Sequence, residues 1–459
     1  MDELEQLASI FLAAVDRVDP YKMIVDHVRL DGSRLVVAFD GQRHAVDLDR
    51  IGRILVLGAG KASAAMAKAV EDVLGQRIAA GLVVVKYGHA ESLRRVEVVE
   101  AGHPTPDENG VRAAARVAEL ARRADERTLV LNLISGGGSA LLCSPLVVGS
   151  GDVAVHLTLG DKQAMTKALL ACGADIGEIN CLRKHLSRVK GGRLLQLMAP
   201  ARSLNFILSD VVGDRLDIIA SGVTTHDDTT FADALDIVDK YQLRDAVPKN
   251  VLQALLWGAE GRIPETLKAG DPATALATNI LIGTNLGALT AACERARVLG
   301  YNAVALTSSL TGEAREAAKF LFGIARDVRN GDLLVAKPAF VIAGGETVVT
   351  LSGSGKGGRN QEMALAFLAE MGKDERQGRG IFFLSASTDG SDGPTDAAGA
   401  FASAAVLDRA REAGLSLEAY LRNNDSYHFF GGIGHLLKTG PTKTNVCDLH
   451  MMIVTDREG

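Results

Sequence analysis

Six stretches of this 459-residue chain set glycine beside hydroxyl, cationic or carboxylate side chains in patterns suited to chemistry. The first is Gly58-Ala59-Gly60-Lys61-Ala62-Ser63. A glycine turn between a strand and a helix presents N–H groups at the positive end of the helix, which suits an anion. The pattern is not a dinucleotide fingerprint, because Ser63 stands at the last glycine position and the next strand ends in Lys86-Tyr87-Gly88, where NAD needs an acid for its ribose. It is not a P-loop either. A tight turn with a surface lysine would leave the same trace. The second stretch, Ser135-Gly136-Gly137-Gly138-Ser139, places three glycines after an apolar run. They cost chain entropy and bury no side chain. A run of N–H groups that receives phosphate or carboxylate explains them better than a close backbone contact.

The third stretch, Asn180 to Arg193, holds six cations or histidines in an acidic protein. It reads as a solvated basic helix face or, as a cluster, an anion-facing surface. In the fourth, Phe206-Ile207-Leu208 delivers Ser209 and Asp210 to a strand end, where an acid could hold Mg²⁺ or a nucleotide. In the fifth, Gly344-Gly345-Glu346 precedes Gly353-Ser354-Gly355-Lys356-Gly357-Gly358-Arg359-Asn360. Arginine offers a fixed fork for phosphate or carboxylate, and the glycines permit close approach. A flexible hairpin loop is the alternative. The sixth carries Asp389, Asp392 and Asp396 between glycines. These carboxylates suit Mg²⁺ or the orientation of a hydroxyl, with one or two of them serving only as turn formers. Asn423-Asn424-Asp425-Ser426 and Gly440 to Asn445 read as ordinary polar loops.

Most of these stretches follow strands. Arg53–Leu57, Gly81–Val85, Thr128–Ile134, Ala339–Ala343 and Gly380–Leu384 are runs rich in β-branched residues and leucine, as in a parallel sheet covered on both faces by helices. A helix is expected over Asn360–Met371 and another over Lys162–Ala171, the latter after a mobile loop, Leu146–Asp152. The expected fold class is α/β, with two Rossmann-like α/β domains. The expected domains are 1–243 and 244–459, divided near Asp239-Lys240-Tyr241 and Pro248-Lys249-Asn250. In such open sheets ligands sit at the carboxyl ends of the strands.

Composition narrows the function. Hydrophobic residues make up 47% and charged residues 23%, and the net charge is −6, which excludes a disordered chain and favours neither nucleic acid nor an anionic membrane as partner. Asp2, Glu3 and Glu5 are wrong for a signal peptide, and no apolar run approaches the roughly 20 residues of a membrane helix. Five scattered cysteines without a C-x-x-C pair fit a reducing, cytoplasmic setting.

The joint order of the motifs resembles the glycerate 2-kinase family, whose C-terminal part is called MOFRL. The matching stretches are GAGKAS (58–63), LISGGGSALL (133–142), EINCLRKHLSRVKGGRL (178–194), LSDVVGD with ASG (208–222), GGET with GGRNQE (344–362), STDGSDGPTDAAGA (387–400) and NNDSY with TGPTKTNVCD (423–448). The resemblance implies transfer of the γ-phosphoryl of ATP, with Mg²⁺, to the 2-hydroxyl of D-glycerate. It also places Lys61 and Arg359 in an interdomain active site. Val223 stands where the family has proline, and His226-Asp227 where a Pro-Asp pair is expected.

In this reading Ser135, Gly136, Gly137, Gly138 and Ser139, with Gly58 and Gly60, cradle an anionic group. Lys61 neutralises the transferring phosphoryl, and Arg359 clamps phosphate or carboxylate, with Glu346 and Asn360 beside it. Asp210, Asp389 and Asp392 are the metal candidates, and Asp210 and Asp389 alternatively orient the hydroxyl. A homodimer stays open. The rival readings are an NAD(P)H-dependent hydroxypyruvate reductase and a non-catalytic sugar-phosphate-binding regulator.

Overall fold

The computed structural model describes residues 1–149, 154–331 and 333–456. The chain forms two compact units, one of Pro20–Ser209 with Asp214–Ile282 and one of Met1–Asp19, Asp210–Gly213 and Gly283–Gly459.

The Pro20–Ile282 unit is built on a six-stranded sheet in the order Ala277–Gly283, Arg202–Leu208, Thr128–Ile134, Arg53–Ala59, Ile78–Lys86, Val96–Ala101. From Arg202–Leu208 to Val96–Ala101 every pairing is parallel. Every residue of Thr128–Ile134 is buried, as a strand covered on both faces requires. Parallel pairing sends the carboxyl ends of these five strands to one edge. Lys61, Lys86, His103 and Ser135 therefore lie at or just beyond that edge.

The expected boundary near residue 243 falls inside this unit. Phe231–Lys240 and Lys249–Ala259 are helices, and Phe231, Val238, Leu243, Val247, Val251 and Leu255 share one buried core with Leu182 and Met165. Apolar side chains on both sides of the Asp239–Asn250 polar stretch thus tie it into a single body. Of the Leu146–Asp152 loop, residues 150–152 lie outside the described residues. Val147–Val148 pairs antiparallel with Val155–His156, and the following helix runs Leu159–Ala171 behind a Thr158/Asp161 capping box.

The other unit departs from the expected Rossmann pattern. Its sheet runs Asn302–Leu310, Ala339–Gly345, Asp448–Val454, Ile381–Ser387, Gly399–Ser403, Leu436–Leu437. Asn302–Leu310 pairs parallel with Ala339–Gly345, but Asp448–Val454 enters antiparallel between Ala339–Gly345 and Ile381–Ser387. All seven residues of Asp448–Val454 are buried. A run buried on both faces does not encode its direction, so the sequence could not reveal this inversion. The N-terminal helix, Glu3–Arg17, also belongs here, because Tyr301 Oη donates to Gln6 Oε1 at 2.8 Å and Arg295 Nη2 to Ser9 Oγ at 3.1 Å.

Candidate active site

In the Pro20–Ile282 unit the two glycine loops lie against each other. Lys61 N–H donates to Gly136 O at 2.9 Å, Ser135 N–H to Ala59 O at 3.2 Å, and Ala62 N–H to Ser135 Oγ at 3.0 Å. A Cβ on Gly58 would stand 2.5 Å from Leu133 O, one on Gly60 2.1 Å from Ser135 Oγ, and one on Gly138 2.8 Å from Ala59 O. Close backbone packing, the weaker explanation on sequence grounds, therefore accounts for these three glycines. It does not account for the whole loop. Among the described residues the N–H groups of Gly136, Gly137 and Ser139 donate to no protein acceptor. Three neighbouring unmet donors are the requirement of a backbone nest for an oxyanion.

The cations around this loop differ in kind. Lys61 is half-buried, and its ammonium makes no hydrogen bond or ion pair among the described residues. Lys190 is 2% exposed, and its Nζ donates to Ser139 O and, at 3.1 Å, to Ser139 Oγ. Ser139 Oγ meets Ser221 Oγ at 2.7 Å, and Ser221 Oγ donates to Asn180 Oδ1 at 2.9 Å. Burial pushes the Lys190 ammonium well below its ordinary pKa, helped by Lys162. Ser221 follows Ala220 in left-handed backbone, at φ 58° and 49°, a strain that the buried network holds in place. His103 lies alongside, its ring so close to Gly137 that a Cβ there would come within 2.9 Å of Cδ2.

In the basic run Asn180–Arg193, Lys184, His185 and Lys190 are buried and not part of a solvated face. Lys184 pairs with buried Asp227 at 3.0 Å, and Arg193 Nη1 donates to Ser187 O at 2.6 Å. Lys190 holds the glycine loop. Three of its cations are thus engaged by acceptors inside the fold.

In the other unit, Arg359 opens the helix Arg359–Lys373 and is clamped by protein carboxylates. Its Nε donates to Asp448 Oδ2 at 2.5 Å, Nη2 to Asp448 Oδ1 at 3.1 Å, and Nη1 to Glu346 Oε1 at 2.6 Å. Burial alone would lower the Arg359 pKa, but Asp448 and then Glu346 outweigh it and the net direction is up. Asp448 is fully buried, and that burial raises its carboxyl despite the guanidinium. Glu346 is thus first a partner of Arg359.

Asp392 does not fit its expected metal role. Its Oδ1 accepts from Asn360 N–H and Nδ2 at 3.1 and 3.2 Å, and its Oδ2 from Gln361 N–H and Nε2 at 2.9 and 3.0 Å. It caps the first turn of the helix, where unmet N–H groups need an acceptor. Burial raises its pKa to about 6, with Asp448 adding to the rise. Asn360, expected at a phosphate, serves that cap and accepts from Ser385 Oγ at 2.8 Å. Asp389 differs. Its Oδ1 accepts from Ser387 Oγ at 3.0 Å and from Ser391 N–H at 2.9 Å, while Oδ2 has no hydrogen-bond partner among the described residues. Arg359, Asp389, Thr347, Val349, Gly357 and Asn424 help line a cavity of about 500 Å³. Asp210 follows the strand Arg202–Leu208 and groups with this unit, where Cys447 Sγ–H donates to its carbonyl at 3.2 Å. Among the described residues no three His, Cys, Asp or Glu side chains cluster as a metal cage.

Gly353 to Gly358 is not a flexible hairpin. Asn424 Oδ1 accepts from Ser352 and Gly353 N–H at 2.8 and 3.0 Å, Asn423 Oδ1 from Ser354 N–H at 3.1 Å, and Asp425 Oδ1 from Lys356 N–H at 2.9 Å. A Cβ on Gly358 would stand 2.3 Å from Asp392 Cγ. Asn423-Asn424-Asp425, read as an ordinary loop, instead holds this one.

Residues 6–256 match the family described as Domain of unknown function (DUF4147), and residues 339–448 match the MOFRL family. A glycerate 2-kinase of Pyrococcus horikoshii is 38% identical over 447 residues, covering 97% of this chain and 96% of the relative. A D-glycerate 2-kinase of Thermotoga maritima is 42% identical over 406 residues, 87% of this chain and 90% of the relative. The chain belongs to the glycerate 2-kinase family. A glycerate kinase crystal structure from T. maritima superimposes with a TM-score of 0.84 at 38% identity, covering 98% of this chain and 99% of that one. A P. horikoshii structure gives 0.85 at 37%, covering 100% and 99%.

Within this family member, the structure brings Gly58, Gly60 and Lys61 together with Ser135 to Ser139. Separately, it joins Glu346, Arg359, Asn360 and Asp392 around Asp448, with Asp389 in the adjoining cavity. Sequence reasoning passed over Asp448, although it ends the quoted TNVCD stretch. An acid one residue after a buried cysteine was the available signal. His103 and the Lys190–Ser139 contact left no trace in local spacing.

Proposed function

We propose that this chain is an ATP-dependent glycerate 2-kinase, transferring the γ-phosphoryl group of ATP to the 2-hydroxyl of D-glycerate to give 2-phosphoglycerate and ADP. The observation that carries the reading is the likeness, along 97% of the chain, to a glycerate 2-kinase. The geometry supports phosphoryl transfer. Such transfer needs positioning and positive charge more than covalent chemistry by the protein. The unmet N–H groups of Gly136, Gly137 and Ser139 receive an oxyanion, and the unpaired Lys61 ammonium neutralises charge on the group in transit. Arg359, whose three guanidinium nitrogens are fixed by Asp448 and Glu346, lines the cavity in a set position.

Mg²⁺ takes one or two carboxylates together with phosphate oxygens and water, so it does not need an all-protein cage. Asp389, with one oxygen fixed and one open, fits that demand, and Asp210 remains the second candidate. The ion would offset charge on the ATP phosphates. The five free cysteines and the reading as a metabolic kinase agree with a cytoplasmic setting.

A second reading has one specific support. A relative from Agrobacterium vitis, 42% identical over 405 residues, is named putative hydroxypyruvate reductase. Against it stand Lys86 at the end of the Ile78–Lys86 strand and Ser63, whose buried hydroxyl donates to Leu133 O at 2.9 Å. Incubation with D-glycerate, ATP and Mg²⁺ should yield 2-phosphoglycerate by mass spectrometry, and excess chelator should stop its formation. Oxidation of NADH by hydroxypyruvate without ATP, and no phosphorylated product, would reverse the assignment.

A further inference from the structure

The glycine loop has a neighbour with no assigned part. His103 follows the strand Val96–Ala101 and reaches the same sheet edge as Lys61, Lys86 and Ser135. The Nε2–Cδ2 edge of its ring lies on Gly137, where a Cβ would come within 2.9 Å of Cδ2 and 3.0 Å of Nε2. Its Nδ1 is shut off from solvent and hydrogen-bonds to nothing, and among the described residues Nε2 has no protein partner either.

The tautomer follows from that burial. A buried N–H without an acceptor costs more than a buried lone pair without a donor, so the proton belongs on Nε2. The edge facing Gly137 then carries an N–H donor beside the three unmet backbone donors. The ring is also neutral at physiological pH. Burial lowers its pKa to about 4, and Lys61, Lys86 and His89 push in the same direction. A half-buried, unpaired imidazole wedged against a loop of unmet N–H groups has little structural purpose without a ligand.

We propose that His103 is a binding residue of this site, its Nε2–H donating to the same oxyanion that the Gly136, Gly137 and Ser139 N–H groups receive. The inference deepens the kinase reading, in which the oxyanion is either a phosphate of ATP or the carboxylate of D-glycerate. Calorimetric titration of the full chain with inorganic phosphate, with ADP and with D-glycerate separates these sources and needs no turnover.

His103→Leu should weaken the responsible ligand roughly 10- to 100-fold, the range for a lost hydrogen bond to a charged group. His103→Gln, whose side-chain amide can reach the Nε2 position, should restore most of that affinity. A loss confined to the phosphate and ADP arms assigns the ATP tail, and one confined to the glycerate arm assigns the carboxylate. Both outcomes support the donor role. If His103→Leu does not fold, His103→Asn, whose shorter amide stops short of the loop, takes its place. Unchanged affinity for all three probes, a wild-type protein that binds none of them, or a Gln variant as weak as Leu would overturn the proposal. A wild-type protein that binds phosphate through His103 yet never phosphorylates glycerate would refute the kinase reading and leave His103 standing.

Discussion

Replacing Arg359 by methionine should damage both the fold and the chemistry, and the two losses can be separated. Asp448 is 0% exposed and takes two hydrogen bonds from Arg359. Removing one partner of a buried ion pair leaves an uncompensated charge, at a cost of about 3–5 kcal/mol. Glu346, 44% exposed, adds little, because water re-solvates it. The affected unit has roughly 200 residues. A domain of that size loses about 2–4 °C in melting temperature per kcal/mol, so its transition should fall by about 6–20 °C. The deficit should shrink as pH falls. Without the guanidinium the folded-state pKa of Asp448 rises further above its ordinary value, and a raised carboxyl favours folding at low pH and loses that contribution as pH rises through the folded pKa. Arg359→Met combined with Asp448→Leu should recover most of the stability, because an apolar pair replaces a buried ionic one at little cost. Turnover should stay low in the double variant. The assays are differential scanning calorimetry at pH 5.5 and 7.5 and kcat with D-glycerate and ATP. A single variant that melts within 1 °C of wild type would refute the ion-pair argument. A double variant with wild-type kcat would remove Arg359 from the reaction.

Lys61→Ala should leave melting unchanged within about 0.5 kcal/mol, because its ammonium has no protein partner, yet lower kcat on the order of 10²-fold. Near-wild-type kcat would reduce Gly58 to Ser63 to a packing turn. Gly60→Ala should destabilise by more than about 2 kcal/mol, because the added methyl meets Ser135 Oγ at 2.1 Å and Ser135 O at 2.5 Å at a backbone φ of 147°. A soluble variant with wild-type urea midpoint would contradict the loop contact. His450, fully buried with Ser385, has its pKa pushed by burial to about 3. A depressed base stabilises the fold above its ordinary pKa of 6.5 and loses that contribution as pH falls from 6.5 toward 3. His450→Gln should therefore lessen the stability lost between pH 6.5 and 5 by about 2 kcal/mol, and parallel pH profiles of variant and wild type would count against it.

The chain's local chemistry carried a great deal. Strand runs such as Thr128–Ile134 and the helices at 159–171 and 359–373 are visible because buried faces and caps are written within a few residues. So is the ordered set of glycine and aspartate motifs that marks the family. Three things required the folded chain. The inverted strand Asp448–Val454 is buried on both faces, and burial gives such a run no direction. The unit boundary is set by which apolar side chains share a core, and Phe231 to Leu255 closes across the polar stretch where the boundary was expected. The partners of the charges come from far along the chain. Arg359 and Asp448 are 89 residues apart, and Lys190 and Ser139 are 51 apart. Spacing in a sequence shows which groups could ionise or bind. Whether a cation is open, as Lys61 is, or held by buried acceptors, as Lys184 and Lys190 are, depends on burial and on long-range contacts, which exist only in three dimensions.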